Sequence, residues 1–350
     1  MNGLLDLFPL ALFFVLFWKS RYVAFNTEYL SLQTSKSLKA WCCLVIVMRH
    51  LFPRIPGGFL CSGFLNVGYL AVTVFFFFSA FGVTKKHRTD IGYAHHFLLR
   101  RLPTLFVPYL VASAAWVAVQ IGCGEPWSFW KIFFPWQNGH AGLPYSWYIF
   151  AVSLFYVAFW VLMKCFGKNW KAMLVGISIY WILYVCFCSV LDYSWVWIIS
   201  SGALLWGMVC AYKEQSLTRF LQAHIKYLLP VLLAGLQLLL WQGFIQLFIT
   251  HSRIFCMIVS SVTVVTVLLF SAQYSVGNKI LAFLSNIYLE IYLVHGIFIE
   301  TLLPGRPLNI ISNPFMLSLV CLAGSIGGGY LLHRLCQKPL QVYQRWLEQH

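Results

Sequence analysis

The sequence predicts an all-α integral membrane protein, a polytopic bundle of about 11 transmembrane helices with the amino terminus outside and the carboxyl terminus in the cytoplasm. Two observations predict the class and a third the orientation. The 350 residues are 61% hydrophobic and only 9% charged, whereas a water-soluble surface on such a chain needs roughly a quarter charged residues. Apolar stretches long enough to cross about 30 Å of hydrocarbon recur from end to end. The basic residues sort by side: 19 of the 24 lysines and arginines fall on alternate connections, beginning with Lys19 and ending with Arg345. The other five are Arg49, Arg54, Lys131, Arg253 and Arg306. Cytoplasmic loops keep the excess of positive charge, which fixes the expected orientation.

In chain order the spans fall near 3–18, 37–54, 66–83, 103–121, 145–164, 172–190, 194–212, 228–249, 254–272, 282–303 and 314–333. The first has no basic start and no small-x-small cleavage site, and it carries Asp6, so it reads as a helix rather than a signal peptide. Residues 1–35 are then an extra amino-terminal helix with its connection, 36–340 one membrane domain, and 341–350 a cytoplasmic tail. Topology accounts for the net charge of +15, so lipid is the expected surrounding and nucleic acid is not an expected partner. The 11 cysteines show no C-x2-C spacing, so no metal is expected. Most sit inside helices as small apolar filler. Cys61 and Cys123 share the outer side, and their pairing is left open. Gly327, Gly328 and Gly329 give the last helix a smooth face for a close neighbour.

An ionisable group inside a span costs several kcal/mol unless paired or hydrated, so each is a functional candidate. Those singled out are Asp6, Lys39, Arg49, His50, Glu290 and His295. Lys39 and His50 are 11 residues apart on one helix. At about 100° per residue they return to one face, separated by a rise of about 16 Å. A cation at one rim and an imidazole deeper in suit a long substrate with an anionic head and a buried reactive end, such as acyl-coenzyme A. The plainer alternative has Lys39 snorkelling, His50 bonded to a neighbouring helix and Arg49 anchored at the interface.

The stretch from Ser37 to His50, SLKAWCCLVIVMRH, resembles the first signature of the acyltransferase family 3 membrane proteins, with lysine where arginine is usual. The phenylalanine-rich stretch Ala71 to Phe81 is similar to the second, with alanines at Ala71 and Ala80 in place of glycines. Phe97 to Tyr109 looks like the basic start of the following helix, with Thr104 where a further arginine is common. Ser285 to His295 resembles the Tyr-Leu-x-His signature, and Gln337-Lys-Pro339 the closing Glu-Lys-Pro.

This resemblance implies an O-acyltransferase that moves an acyl group, acetyl above all, from acyl-CoA to a hydroxyl, commonly of a saccharide on a cell-surface polysaccharide or lipid-linked glycan. The donor is a substrate, and no permanently bound cofactor is expected. His50 is the expected base, since a hydroxyl attacks a thioester efficiently only as its proton is removed; an acyl-histidine route stays open. Lys39, Lys85, Lys86, Arg88, Arg100 and Arg101 are expected to hold the nucleotide phosphates. Glu290 and His295, five apart, point to different faces. Glu290 is assigned to orienting His50 or contacting sugar hydroxyls, His295 to a second acid or a structural hydrogen bond.

Trp127, Trp130 and Trp136 with His140 either stack on sugar faces or form an interfacial belt. His87, His95 and His96 read as a solvated basic loop. The rival reading, a transporter or flippase of lipid-linked sugars, predicts inverted repeats, and no convincing repeat is found.

Overall fold

Ser, Asn and Asp side chains start or clamp the elements that position the interior. The computed structural model describes residues 2–90, 92–133, 139–240 and 253–349. The helices are α1 (Leu7–Phe17), α2 (Leu32–Leu51), α3 (Gly68–Thr89), α4 (Phe97–Gly122), α5 (Phe129–Phe133), α6 (Trp147–Phe166) and α7 (Trp170–Val190). They continue with α8 (Val196–Ile199), α9 (Ala203–Tyr212), α10 (Glu214–Leu240), α11 (Arg253–Gln273), α12 (Lys279–Leu302) and α13 (Pro314–Gln349). Ser31 caps α2 by accepting from the Thr34 amide at 3.2 Å, satisfying a donor that has no partner inside the helix. Asn278 does the same for α12 through Leu281, at 2.9 Å, and its amide nitrogen reaches the Val15 and Trp18 carbonyls at the end of α1. The connection after α1 is stitched down by a two-residue antiparallel ladder, Arg21–Tyr22 against Tyr274–Ser275.

Seven of the described helices, α3, α4, α6, α7, α11, α12 and α13, are long and apolar enough to cross a membrane. The pair Val196–Tyr212 and Glu214–Gly235, bent by 91°, raises the number to eight if counted as one span. Four of the expected 11 spans differ from the rest. The segment Gly3–Phe17 is apolar but short, and α2 carries three cations, Lys36, Lys39 and Arg49. The expected span 194–212 ends at the bend, 228–249 begins inside α10, and 241–249 lies outside the described residues. The segment expected as the carboxyl tail continues, through Gln349, the 36-residue helix α13. Outward faces are apolar: on α7, Ile179, Ile182 and Leu183 are all more than half exposed, the arrangement that suits lipid rather than water.

At the centre, α2 lies between α3 and α12, and α12 packs on α13. A Cβ on Gly329 would stand 2.8 Å from the Ile291 backbone nitrogen, and one on Gly328 would press on Phe298. Gly327 faces open space, so two of the three glycines make the close helix contact. Asp6 has a structural role. Its carboxylate accepts from the Phe59, Leu60 and Cys61 amides at 2.9, 2.8 and 3.3 Å, tying the amino-terminal segment to the 3-10 turn Leu60–Asn66. Cys61 and Cys123 are both free thiols.

Candidate active site

Helices α2 and α12 run alongside each other with matched polar contacts. Lys39 donates to the Tyr288 hydroxyl at 3.2 Å, and the Cys43 thiol to the Tyr288 carbonyl at 3.1 Å. The His50 ring lies 5.4 Å from the His295 ring, centre to centre. Lys39 and His50 thus meet the same neighbouring helix, as an 11-residue separation on a helix requires.

The two residues open onto different cavities. One, of about 990 Å³, is lined by Lys36, Lys39, Lys85, Lys86, Arg101, Glu290 and His333 among others. The other, of about 1100 Å³, is lined by Arg49, His50, Arg54, Lys131, Tyr145 and Glu300, with Trp116, Trp127, Trp130, Trp147, Trp197 and His140. Among the described residues none lines both. Between them stands an aromatic partition: Tyr148 faces the first cavity, Tyr292 the second, and the Tyr148 amide donates to the Tyr292 hydroxyl at 3.3 Å. The phenylalanine-rich run on α3 thickens this layer, with Phe75 and Phe76 at 5.6 and 4.9 Å from the Tyr148 ring.

On the Trp-lined side of the partition, His50 sits in a shaped setting. The Tyr145 ring stacks on it at 3.9 Å and 21°. Tyr145 comes from the loop before α6 and holds a positive φ of 61°, a conformation that costs a non-glycine residue of order 1 kcal/mol and needs support from its surroundings. That support is on both ends of the residue. The Tyr292 hydroxyl donates to the Tyr145 carbonyl at 2.5 Å, and the Tyr145 hydroxyl donates to Glu300. Glu300 is also paired with Arg54, and with Arg306 at 2.5 Å. Gly296 lets the loop come this close, because a Cβ there would meet the Pro144 carbonyl oxygen at 2.7 Å.

His295 is fully buried. Its Nδ1 is 2.6 Å from the Tyr292 carbonyl oxygen; the carbonyl accepts, so Nδ1 carries the proton. Its Nε2 is buried without a partner among the described residues, leaving a lone pair on a ring that neighbours those of His50 and Tyr145. His50 and His295 are thus brought together, and Glu290 is not brought to them. Glu290 accepts from His333 Nδ1 at 2.9 Å within the Lys39 cavity, and His50 lines the other one.

Of the six cations expected to hold phosphates, Lys39, Lys85, Lys86 and Arg101 line one cavity. Lys85 also pairs with Glu214 at 2.7 Å, Lys86 with Asp90 at 3.5 Å, and Arg101 donates to the Tyr93 hydroxyl at 3.1 Å. Arg88 and Arg100 lie outside that lining. Arg88 donates to the Ala211 carbonyl near the end of α9 and lies over the Tyr212 ring, where a cation satisfies a helix's last carbonyls. Arg100 is 4.0 Å from Glu348. The basic loop is not simply solvated: His87 is buried, its Nε2 lies 2.8 Å from the Gly167 carbonyl oxygen, and Lys168 donates to the His87 carbonyl at 2.8 Å.

Among the described residues no group of three or more His, Cys, Asp or Glu is placed to hold a metal. Trp127, Trp130 and His140 line the His50 cavity; Trp136 lies outside the described residues. Tyr145, Arg54, Glu300 and His333 are the contributors that sequence reasoning missed. Glu300 had a signal, since it is an ionisable residue inside the expected span 282–303.

A family model described as an acyltransferase domain matches residues 36–334. Comparison with curated proteins and with solved structures returned no match.

Proposed function

The chain belongs to the acyltransferase domain family, and from that premise we propose a membrane O-acyltransferase that moves an acetyl or other short acyl group from acyl-CoA to a saccharide hydroxyl. The observation that carries the proposal is the pair of cavities separated by one aromatic layer, with His50 lining one and Lys39 the other. The proposed topology has about 11 spans, with α1 and α2 crossing and the bent pair forming two, the amino terminus outside and the carboxyl terminus cytoplasmic. It puts the lysine-rich cavity on the cytoplasmic side, where acyl-CoA is found.

In this reading Lys39, Lys85, Lys86 and Arg101 hold the nucleotide phosphates, and the pantetheine arm runs along the α2–α12 seam for the rise of about 16 Å from Lys39 to His50. The saccharide enters from the other side, where Trp127 and Trp130 offer faces for stacking. His50 takes the hydroxyl proton as the oxygen attacks the thioester carbon. The carbon–oxygen bond forms, the carbon–sulfur bond breaks, and the proton passes on to the departing thiolate. Tyr145, clamped by Glu300 and Tyr292, fixes the plane of the His50 ring, and the Nε2 lone pair of His295 is available to a second proton.

The test is transfer from radiolabelled acetyl-CoA in membranes holding wild type or His50→Ala at matched levels of folded protein, with label counted in water-soluble and lipid-linked glycan. The expected result is a loss of at least about 100-fold. Equal incorporation by both preparations, above a no-protein control, would remove His50 as the base.

A further inference from the structure

The five basic residues assigned to the outer side are distributed unevenly. Arg49, Arg54 and Lys131 all line the His50 cavity, and Arg306 joins its edge through Glu300. Charge bias does not explain this, because it disfavours cations on that side. One carboxylate, Glu300, serves both Arg54 and Arg306. Among the described residues Arg49 and Lys131 have no ion pair and no side-chain hydrogen bond.

Arg49 is also held in place. Its stem lies across Gly68 at the start of α3, where a Cβ would meet Arg49 Cγ at 2.5 Å. A partly buried guanidinium with a prepared path and no counter-charge in a low-dielectric setting is costly unless a ligand supplies the anion.

We propose that the acceptor saccharide carries an anionic group, a carboxylate or a phosphate, near the hydroxyl that is acylated, and that Arg49 and Lys131 bind it. The inference rests on the acceptor occupying the His50 cavity, as proposed above. Arg49 adjoins His50 in sequence, so an anion on its fork brings a neighbouring hydroxyl within reach of the imidazole. The planar guanidinium grips two oxygens of one anion, and Lys131 adds a point charge at the exposed mouth.

The test uses the full chain in lipid nanodiscs, titrated with glucose 6-phosphate, methyl glucuronide and methyl glucoside, and read by the fluorescence of the tryptophans lining the cavity. Wild type is expected to bind at least one of the two anionic sugars about tenfold or more tighter than the neutral one. Whichever anion is preferred identifies a phosphate or a carboxylate acceptor. Arg49→Gln abolishes the preference, weakening the favoured anionic sugar about tenfold more than methyl glucoside, Arg49→Lys restores part of it, and Lys131→Gln weakens it about threefold.

Equal affinity of wild type for all three sugars, or binding of none, overturns the proposal. So does an Arg49→Gln variant that weakens all three by one common factor, which would mark Arg49 as support for the cavity wall. The outcome is separable from the chemistry, because His50→Ala is titrated alongside. Anion preference without acyl transfer by wild type would sink the catalytic reading and leave the site standing, and transfer without anion preference would do the reverse.

Discussion

Gly296→Ala tests whether the loop that stacks on His50 governs the chemistry. The added Cβ would stand 2.7 Å from the Pro144 carbonyl oxygen, 2.9 Å from Pro144 Cβ and 3.0 Å from Tyr145 Cδ2. To reach ordinary contact near 3.4 Å the Pro144–Tyr145 segment must recede by about 0.7 Å. Neither of its backbone anchors is soft: Tyr292 holds the Tyr145 carbonyl, and φ is already positive.

Such overpacking costs about 1–3 kcal/mol. A displacement approaching 1 Å in a positioning group lowers turnover by up to about 100-fold, so kcat is expected to fall roughly 10- to 50-fold. KM for acyl-CoA should stay within about twofold, since neither Gly296 nor Tyr145 lines the Lys39 cavity. The assay is saturation kinetics on purified protein, with Gly327→Ala as the control because nothing lies within 4 Å of its Cβ position. A Gly296→Ala enzyme with wild-type kcat would refute the idea that Tyr145 positions His50.

Two further results are expected. Lys39→Met should raise KM for acyl-CoA about tenfold, whereas Arg88→Gln, which strips the Ala211 carbonyl of its donor, should leave KM alone and cost about 1 kcal/mol of stability; saturation kinetics and thermal unfolding read the two, and the opposite pattern would place the phosphates on Arg88. Glu290→Gln, which can still accept from His333, should keep activity within about threefold. Glu290→Leu strands His333 Nδ1 and should destabilise the protein by about 1–3 kcal/mol in denaturant titrations.

The relation of Lys39 to His50 was legible in the sequence because both sit on one helix, where periodicity alone decides which residues share a face. Tyr145 was not, because its role depends on a loop folding back onto α12, and along the chain it is merely an aromatic residue beside a proline. Arg54 and Glu300 are 246 residues apart, and His333 and Glu290 are 43 apart; no local pattern links either pair. Glu300 alone was within reach, by the rule that had singled out Glu290 on the same helix. The basic loop shows the converse. Arg88 and Lys85 look alike in sequence, and only the position of the Ala211 carbonyl separates a helix cap from a cavity wall. The helix count diverged where the apolar rule is weakest, at α2 with its three cations and at the 91° bend.

The layer made by Tyr148 and Tyr292 has a consequence for how the reaction meets the electrical state of the membrane. Moving one elementary charge through the full field takes about 2.3 kcal/mol per 100 mV, so carrying a polyanionic donor across would tie turnover to voltage. With a cavity on each side of that layer, only the uncharged pantetheine arm and its acyl group have to enter the narrow part, and the charged nucleotide stays in the Lys39 cavity. In the proposed reaction the transfer step is therefore electrically silent, and a collapse of membrane potential leaves its rate unchanged.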